Sequence, residues 1–370
     1  MWQWYNCCAS RVPEGKSILR INMDETSVCL FQGGGKGTVV FKKRRDPPAD
    51  EPVERASRAK RRCCLTHVAF ICDRPDIQPV LPQVLIANET TLPAGQLAAL
   101  KAAAPANVYL IRQKSAWNDA KLMLRIITYL ALALRPHFSS VQAVLLLDAC
   151  RVHIPPAVLY RCLAWHIWPI IVPAKLTWLM QPLDTHSFLR YKAFLKKAYQ
   201  TARAQSASLE LPLSDFLACM YSTIRHILQG QRWEEAFDAD GFGHNQGRVS
   251  QYMRRQLQII GPVSLPAVIP TEEQMQLCFP RGARVPHIAL RRPLQPAAAL
   301  PAGPVGFSLG VRPPRATRGP PSAVMGVPAA AAAAGTVDPP VPTAAIGRGP
   351  RTRSEHRLAA ALAKGRPLPR

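Results

Sequence analysis

"VQAVLLLD", residues 141–148, is an almost unbroken apolar run that closes on an acid, Asp148. A strand with one wet face alternates apolar and polar residues. A strand covered on both faces does not alternate, and such strands usually belong to a parallel sheet. The run therefore predicts an inner parallel strand with Asp148 at its C-terminal end. Further upstream, "SILRINMDETSVCLF" (17–31) has the contrasting pattern. Leu19, Ile21 and Met23 fall on one side, and Arg20, Asn22 and Asp24 on the other. Period two predicts a strand with one buried face.

The segments around these two supply the rest of an α/β order. "QGGGKG" (32–37) reads as a turn and "TVVF" (38–41) as the second arm of a hairpin. The glycines lack the full Walker spacing and no helix follows them, so they are not read as a phosphate loop. "LTHVAFIC" (65–72) is a third strand, and "PVLPQVLIAN" (79–88) an edge strand or an extended connection. "SAWNDAKLMLRIITYLALALRPHF" (115–138) reads as a helix, with Trp117, Leu122, Leu124, Ile127, Leu130 and Leu134 at helical spacing. Trp117 is counted to the core. Pro155 and Pro156 suit the start of another helix, and "IWPIIVP" (167–173) is a short apolar strand. From Thr185 a helix carries Phe188, Tyr191, Leu195 and Ala198 on one face and Lys192, Lys196 and Arg203 on another. Two more helices are expected near 213–229 and around "WEEAFDADGFG" (233–243). A meander followed by β-α-β units gives a mixed sheet.

Composition bounds the organisation. The chain has 370 residues, of which 48% are hydrophobic, enough for a substantial core. Residues 281–370 are mostly Pro, Ala, Gly and Arg and cannot offset their own ordering entropy, so a disordered basic tail is expected. Residues 42–62, "KKRRDPPADEPVERASRAKRR", read as a charged flexible insertion whose basic ends suit nuclear import. The net charge of +24 favours polyanions. No apolar run reaches the roughly 18 residues a spanning helix needs, so no membrane partner is expected. Ten cysteines are present, but no C-x-x-C has a matching His or Cys pair. The expectation is reduced thiols and no zinc site.

Three acids stand apart from the apolar elements: Asp24 on the first strand, Asp148 at the end of the buried strand, and Asp184 after "TWLMQPL". Singly, each has a structural reading: an exposed strand acid, a turn cap, and a helix N-cap whose carboxylate accepts from the free N–H groups of the first turn. Together they can converge at one end of the sheet, where ligands bind in open α/β folds. Hard oxygen ligands suit two Mg²⁺ or Mn²⁺ ions, the arrangement that serves in-line displacement at phosphorus.

The set "INMDETS", "LLLDACRVH" and Pro173, Thr177, Gln181, Pro182, Leu183, Asp184 resembles the DDE transposases of the mariner/pogo superfamily. The closer resemblance is to the pogo, jerky and centromere-protein-B-like branch, and it spans roughly residues 16–245. It implies an RNase H-like, retroviral integrase-like fold, with a mixed sheet flanked by helices. It also implies Asp24, Asp148 and Asp184 as the catalytic metal ligands, two Mg²⁺ or Mn²⁺ ions as cofactor with no small-molecule cofactor, and DNA strand cleavage and transfer in the nucleus. DNA is the implied partner, with a homodimer allowed. His153, Lys192, Lys196 and Arg203 are the candidate DNA contacts. Residues 1–15 are then an N-terminal extension and 246–280 a C-terminal one. Ala149, Thr185 and His186 depart from the family pattern, as does the lack of a helix-turn-helix module ahead of the first strand. The alternative is a catalytically idle, domesticated DNA-binding or chromatin protein that keeps the fold.

Overall fold

The computed structural model describes residues 1–29, 64–206, 211–243, 249–261 and 268–280. In chain order the elements are α1 (Trp2–Ala9), β1 (Ser17–Cys29), β2 (Cys64–Cys72), β3 (Gln83–Asn88), α2 (Ala94–Ala102), β4 (Val108–Gln113), α3 (Ala120–Leu134), β5 (Val141–Asp148), α4 (Pro156–Ala164), β6 (Ile167–Val172) and α5 (Thr177–Met180). A π-helical turn, Leu183–Ser187, leads into α6 (Phe188–Gln205). Then come α7 (Leu213–Thr223) with a π-helical continuation over Ile224–Gln229, α8 (Glu234–Ala239), α9 (Gln251–Gln256) and α10 (Glu272–Gln276).

The sheet order is β4-β3-β2-β1-β5-β6. β1, β2 and β3 pair antiparallel in sequence. β5 joins the other side of β1 in parallel, and β6 joins β5 in parallel. This antiparallel meander extended by parallel strands beyond β1 is the RNase H-like arrangement. β5 has both faces covered and a parallel neighbour on each side, as its apolar run requires.

Helices cover both faces. Leu19, Ile21 and Met23 of β1 pack with Leu122, Ile126 and Leu130 of α3 and with Val158 and Leu159 of α4. Against the other face lie Trp4 and Tyr5 of α1, Tyr191 and Leu195 of α6, and Phe216 and Met220 of α7. The N-terminal stretch is thus part of the core.

Several expectations change. β1 is buried on both faces, not one: Arg20, Asn22 and Asp24 lie under the second helical layer. β3 is an inner strand, because β4 pairs along its outer side. Neither α2 nor β4 was read from the sequence. α2, "AGQLAALKA", buries none of its residues fully and meets the core only through the partly buried Leu97 and Leu100. Trp117 is 76% exposed, not core. The helix begins only at Ala120, capped by the Asp119 carboxylate accepting from Leu122 N at 2.7 Å, so Trp117 sits in the loop ahead of it. The glycine turn 32–37, the strand 38–41, the insertion 42–62 and the tail 281–370 lie outside the described residues.

Arg20 shows why a polar side of β1 can be buried. Its Nε donates to Asp73 Oδ2 at 2.6 Å, and its Nη1 donates to Asp238 Oδ1 at 2.6 Å and to Phe242 O at 2.8 Å. Asp73 also accepts from the backbone N–H of Arg20. The charge is paired twice and ties β1 to the end of β2, to Asp238 of α8 and to the segment that follows it. Removing one partner of a buried pair leaves an uncompensated charge, at a cost of about 3–5 kcal/mol. Arg20→Met should lower the unfolding free energy by about that amount in urea titration; a loss under about 1 kcal/mol would show that the network adds little.

Candidate active site at the carboxyl end of the parallel strands

The sheet register brings the first two acids together. β1 and β5 pair in parallel from Ser17↔Val141 to Asn22↔Leu146. Asp24 and Asp148 each lie two residues beyond the last pair, and the Asp148 charge acts on Asp24. The third acid arrives through Asn22, which is fully buried. Its Oδ1 accepts from Leu183 N at 2.8 Å, while its Nδ2 donates to Leu146 O at 3.2 Å and to Met23 O at 3.3 Å. One amide therefore joins β1, β5 and the turn that bears Asp184. Gln181 adds a second tie, its Nε2 donating to Met23 O at 3.2 Å. Gln181 Oε1 is buried and has no hydrogen-bond partner among the described residues.

Asp184 does not cap a helix, contrary to the N-cap expectation. It lies inside the π-helical turn Leu183–Ser187, and neither that turn nor α6 has a side-chain cap. Its carboxyl instead lies close enough to Thr177 and to Asp24 for both to act on its ionisation. Nor does Asp148 cap α4, whose N-cap is Pro155.

The electrostatics follow from this crowding. Asp24 is 9% exposed, and burial followed by the charges of Asp184 and Asp148 raises its pKa well above the usual carboxylate value. Asp184 is raised chiefly by burial and also by Asp148, against the opposing hydrogen bond from Thr177 and the charge of Lys192. Crowded, buried carboxyls oppose one another's ionisation. His153 moves the other way. Burial disfavours its charge, but hydrogen bonds to Asp148 and Glu25 and the charges of both acids prevail, and its pKa is pushed up to about 10.

The other expected residues divide. Lys192 and Lys196 are exposed on α6, and Lys192 is close enough to act on Asp184. Arg203 is half-buried near the end of that helix. His153 is not presented to a DNA strand: its ring is buried, with Nδ1 bonded to Asp148 Oδ1 and Nε2 to Glu25 Oε1. Glu25 points away from Asp24, as its place in the strand requires, yet it reaches the site through His153. It also accepts from Asn118 Nδ2 at 2.7 Å.

Some contributors were not foreseen. Asn22 was read only as a polar strand residue. Asp240, buried, accepts from Thr185 Oγ1 at 2.6 Å and bonds His186 Nε2 at 3.2 Å. The two departures after Asp184 are thus held by the "WEEAFDADGFG" segment. Gly241 beside it takes φ +88°, and a Cβ there would lie 2.5 Å from the Trp2 indole nitrogen. Among the described residues, a tight donor set forms at Asp148, Cys150 and His153, whose ligand atoms all lie within 4.8 Å of one another.

No protein-family profile matches the chain, and no curated protein does. Among solved structures, the Mos1 transposase paired-end complex with the left transposon end is similar at 13% identity and a TM-score of 0.34, over 65% of this chain and 61% of that one. The Mos1 strand transfer complex is similar at 13% identity and a TM-score of 0.31, over 65% and 61%. A Mos1 mariner paired-end complex with Mn is similar at 11% identity and a TM-score of 0.30, over 65% and 62%. The chain spans about three-fifths of the length of these transposase chains. The RNase H-like assignment stands on strand order and direction, not on these likenesses.

Two outcomes are expected of the site. Asn22→Ala strands the Leu183 N–H in a buried place, a loss of about 1–3 kcal/mol measurable by urea unfolding; full retention of stability would show that the clip is dispensable. The second concerns pH. A carboxyl whose folded pKa is raised contributes stability that is complete below its unfolded value, near 3.8, and is lost as pH rises through the folded value. Asp24→Asn should therefore raise Tm in chelator at pH 7, and the gain should shrink on acidification toward pH 4. A gain that stays constant with pH would count against the charge argument.

Proposed function

We propose that the chain is a transposase-derived DDE endonuclease domain that cleaves and joins DNA strands, of the mariner/pogo superfamily in its pogo, jerky and centromere-protein-B-like branch. The observation that carries the reading is the meeting of three acids from separate elements. The charges of Asp184 and Asp148 both act on Asp24, and Asp148 ends the neighbouring parallel strand. Structural acids are not normally gathered where they raise one another's pKa; functional ones often are. The order of the three motifs along the chain supports the same reading, and the basic net charge of +24 suits a nuclear DNA partner.

The donors fit hard divalent cations. All three are carboxylates, two of them disfavoured in their charged form, and the unpartnered Gln181 Oε1 lies buried three residues before Asp184. Asp24, Asp148 and Asp184 would hold Mg²⁺ or Mn²⁺. When bound, two such ions activate a water or a 3′-hydroxyl and stabilise the leaving oxygen of an in-line displacement. The protein's own residues do the positioning. Asn22 and Gln181 hold the Asp184 turn against β1, Thr177 orients its carboxylate, and Asp240 fixes the two residues after it. Lys192, with Lys196 one turn on, offers cations to the phosphate backbone.

A second reading is a DNA-binding protein that keeps the fold without turnover. It is favoured by the His153–Asp148 bond, which engages one of the three carboxylates. A nicking assay on supercoiled DNA with Mg²⁺ or Mn²⁺ separates the two. The first reading expects metal-dependent nicking that falls by more than about 100-fold in Asp148→Ala, beyond the ~10–100-fold typical of losing an outer-shell partner. Undiminished nicking in that variant removes Asp148 from the chemistry. Salt-sensitive DNA binding with no nicking under either ion establishes the second reading.

A further inference from the structure

The loop between β5 and α4 carries more ligand chemistry than an all-carboxylate site needs. It runs Asp148-Ala149-Cys150-Arg151-Val152-His153. A tight turn closes it, with His153 N donating to Cys150 O at 3.0 Å and Ile154 N to the same oxygen at 3.3 Å. The turn gathers a carboxylate oxygen, a thiol sulfur and an imidazole nitrogen within 4.8 Å of one another. A tetrahedral ion with bonds of about 2.0–2.3 Å sets its donors roughly 3.3–3.8 Å apart, so the thiol closes in by about 1 Å while the His153 Nδ1–Asp148 hydrogen bond opens as its proton leaves. The Cys150 side chain is exposed and free to do so.

Sulfur and imidazole are poor donors for Mg²⁺ and good ones for Zn²⁺, Co²⁺ or Cd²⁺. We propose that Asp148, Cys150 and His153 form a binding site for one thiophilic divalent cation, with a fourth position open to water. The surroundings of His153 argue for a built site rather than a chance cluster. Its Nδ1 is the nitrogen next to Asp148, and its Nε2 lies 3.2 Å from Glu25 Oε1. A histidine ligand that donates its second N–H to a carboxylate is the standard outer-shell arrangement, which fixes the tautomer and strengthens the ligand. Glu25 is itself held by Asn118 Nδ2 at 2.7 Å. Ion binding at Nδ1 and Sγ releases the proton from each to solvent. The absence of a paired C-x-x-C does not bear on such a site, which needs one cysteine, one histidine and one acid.

The inference stands whether or not the chain cleaves DNA. Co²⁺ added to the reduced full-length protein should produce a thiolate-to-cobalt charge-transfer band that saturates at one equivalent, with the visible d–d bands of a four-coordinate ion. Cys150→Ser, at an exposed position that leaves the fold intact by circular dichroism, should lose the charge-transfer band. Glu25→Gln should keep the spectrum and weaken Co²⁺ binding by about 10–100-fold. Asp24→Ala should keep both spectrum and affinity, which separates this site from the Asp24–Asp184 pair. No charge-transfer band in the wild-type chain, or a band of full amplitude in Cys150→Ser, overturns the proposal.

Discussion

A buried amide on β1 joins the three chain segments that carry the candidate site. Asn22 lies in the middle of the sheet with no access to solvent, and its carbonyl oxygen and amide nitrogen join three chain segments. An unpaired amide there would cost on the order of 1–3 kcal/mol, so burying β1 favours having β5 and the Leu183 turn in place. That preference couples the fold to the site. The parallel register that satisfies Nδ2 sets Asp148 beside Asp24, and the turn that satisfies Oδ1 brings in Asp184.

The second helical layer answers the same kind of demand. Arg20, two residues before Asn22, needs two acids to be buried and finds them at Asp73 and Asp238. Asp240 then reaches Thr185 and His186. The polar side of β1 thus reads as a row of anchors: Arg20 for the α8 segment, Asn22 for the Asp184 turn, and Asp24 for the acid cluster. His67 extends the row on β2, with one ring nitrogen 3.0 Å from Tyr191 Oη on α6 and the other 3.0 Å from Gln83 Oε1. Burial lowers its pKa to about 4, so it serves there as a neutral linker.

Much of this was legible in the sequence, and the limits have physical causes. The apolar run of β5 announced an inner parallel strand because burial on both faces leaves no alternation. The alternation of β1 was real, but it was misread as a wet face. Periodicity reports polarity, not exposure, and a polar side can be buried when it is fully paired. Trp117 matched a helical stripe numerically while lying ahead of the Asp119 cap. α2 was silent because only Leu97 and Leu100 face the core, and both only partly. Of the site, the three acids were visible as isolated carboxylates at element ends. Asn22, Thr177 and Asp240 were not visible in those roles, since they act through contacts distant in the chain that no local spacing encodes.

The central claim is that Asp24, Asp148 and Asp184 act as one cation-binding cluster whose geometry the β1 anchors impose. Titrating Mn²⁺ into the protein and following the free-ion electron paramagnetic resonance signal tests it without depending on any DNA substrate. The wild-type chain should remove free-ion signal, and Asp184→Asn should bind more than about 10-fold more weakly. Equal Mn²⁺ binding by wild type and Asp184→Asn, or none by wild type, would contradict it.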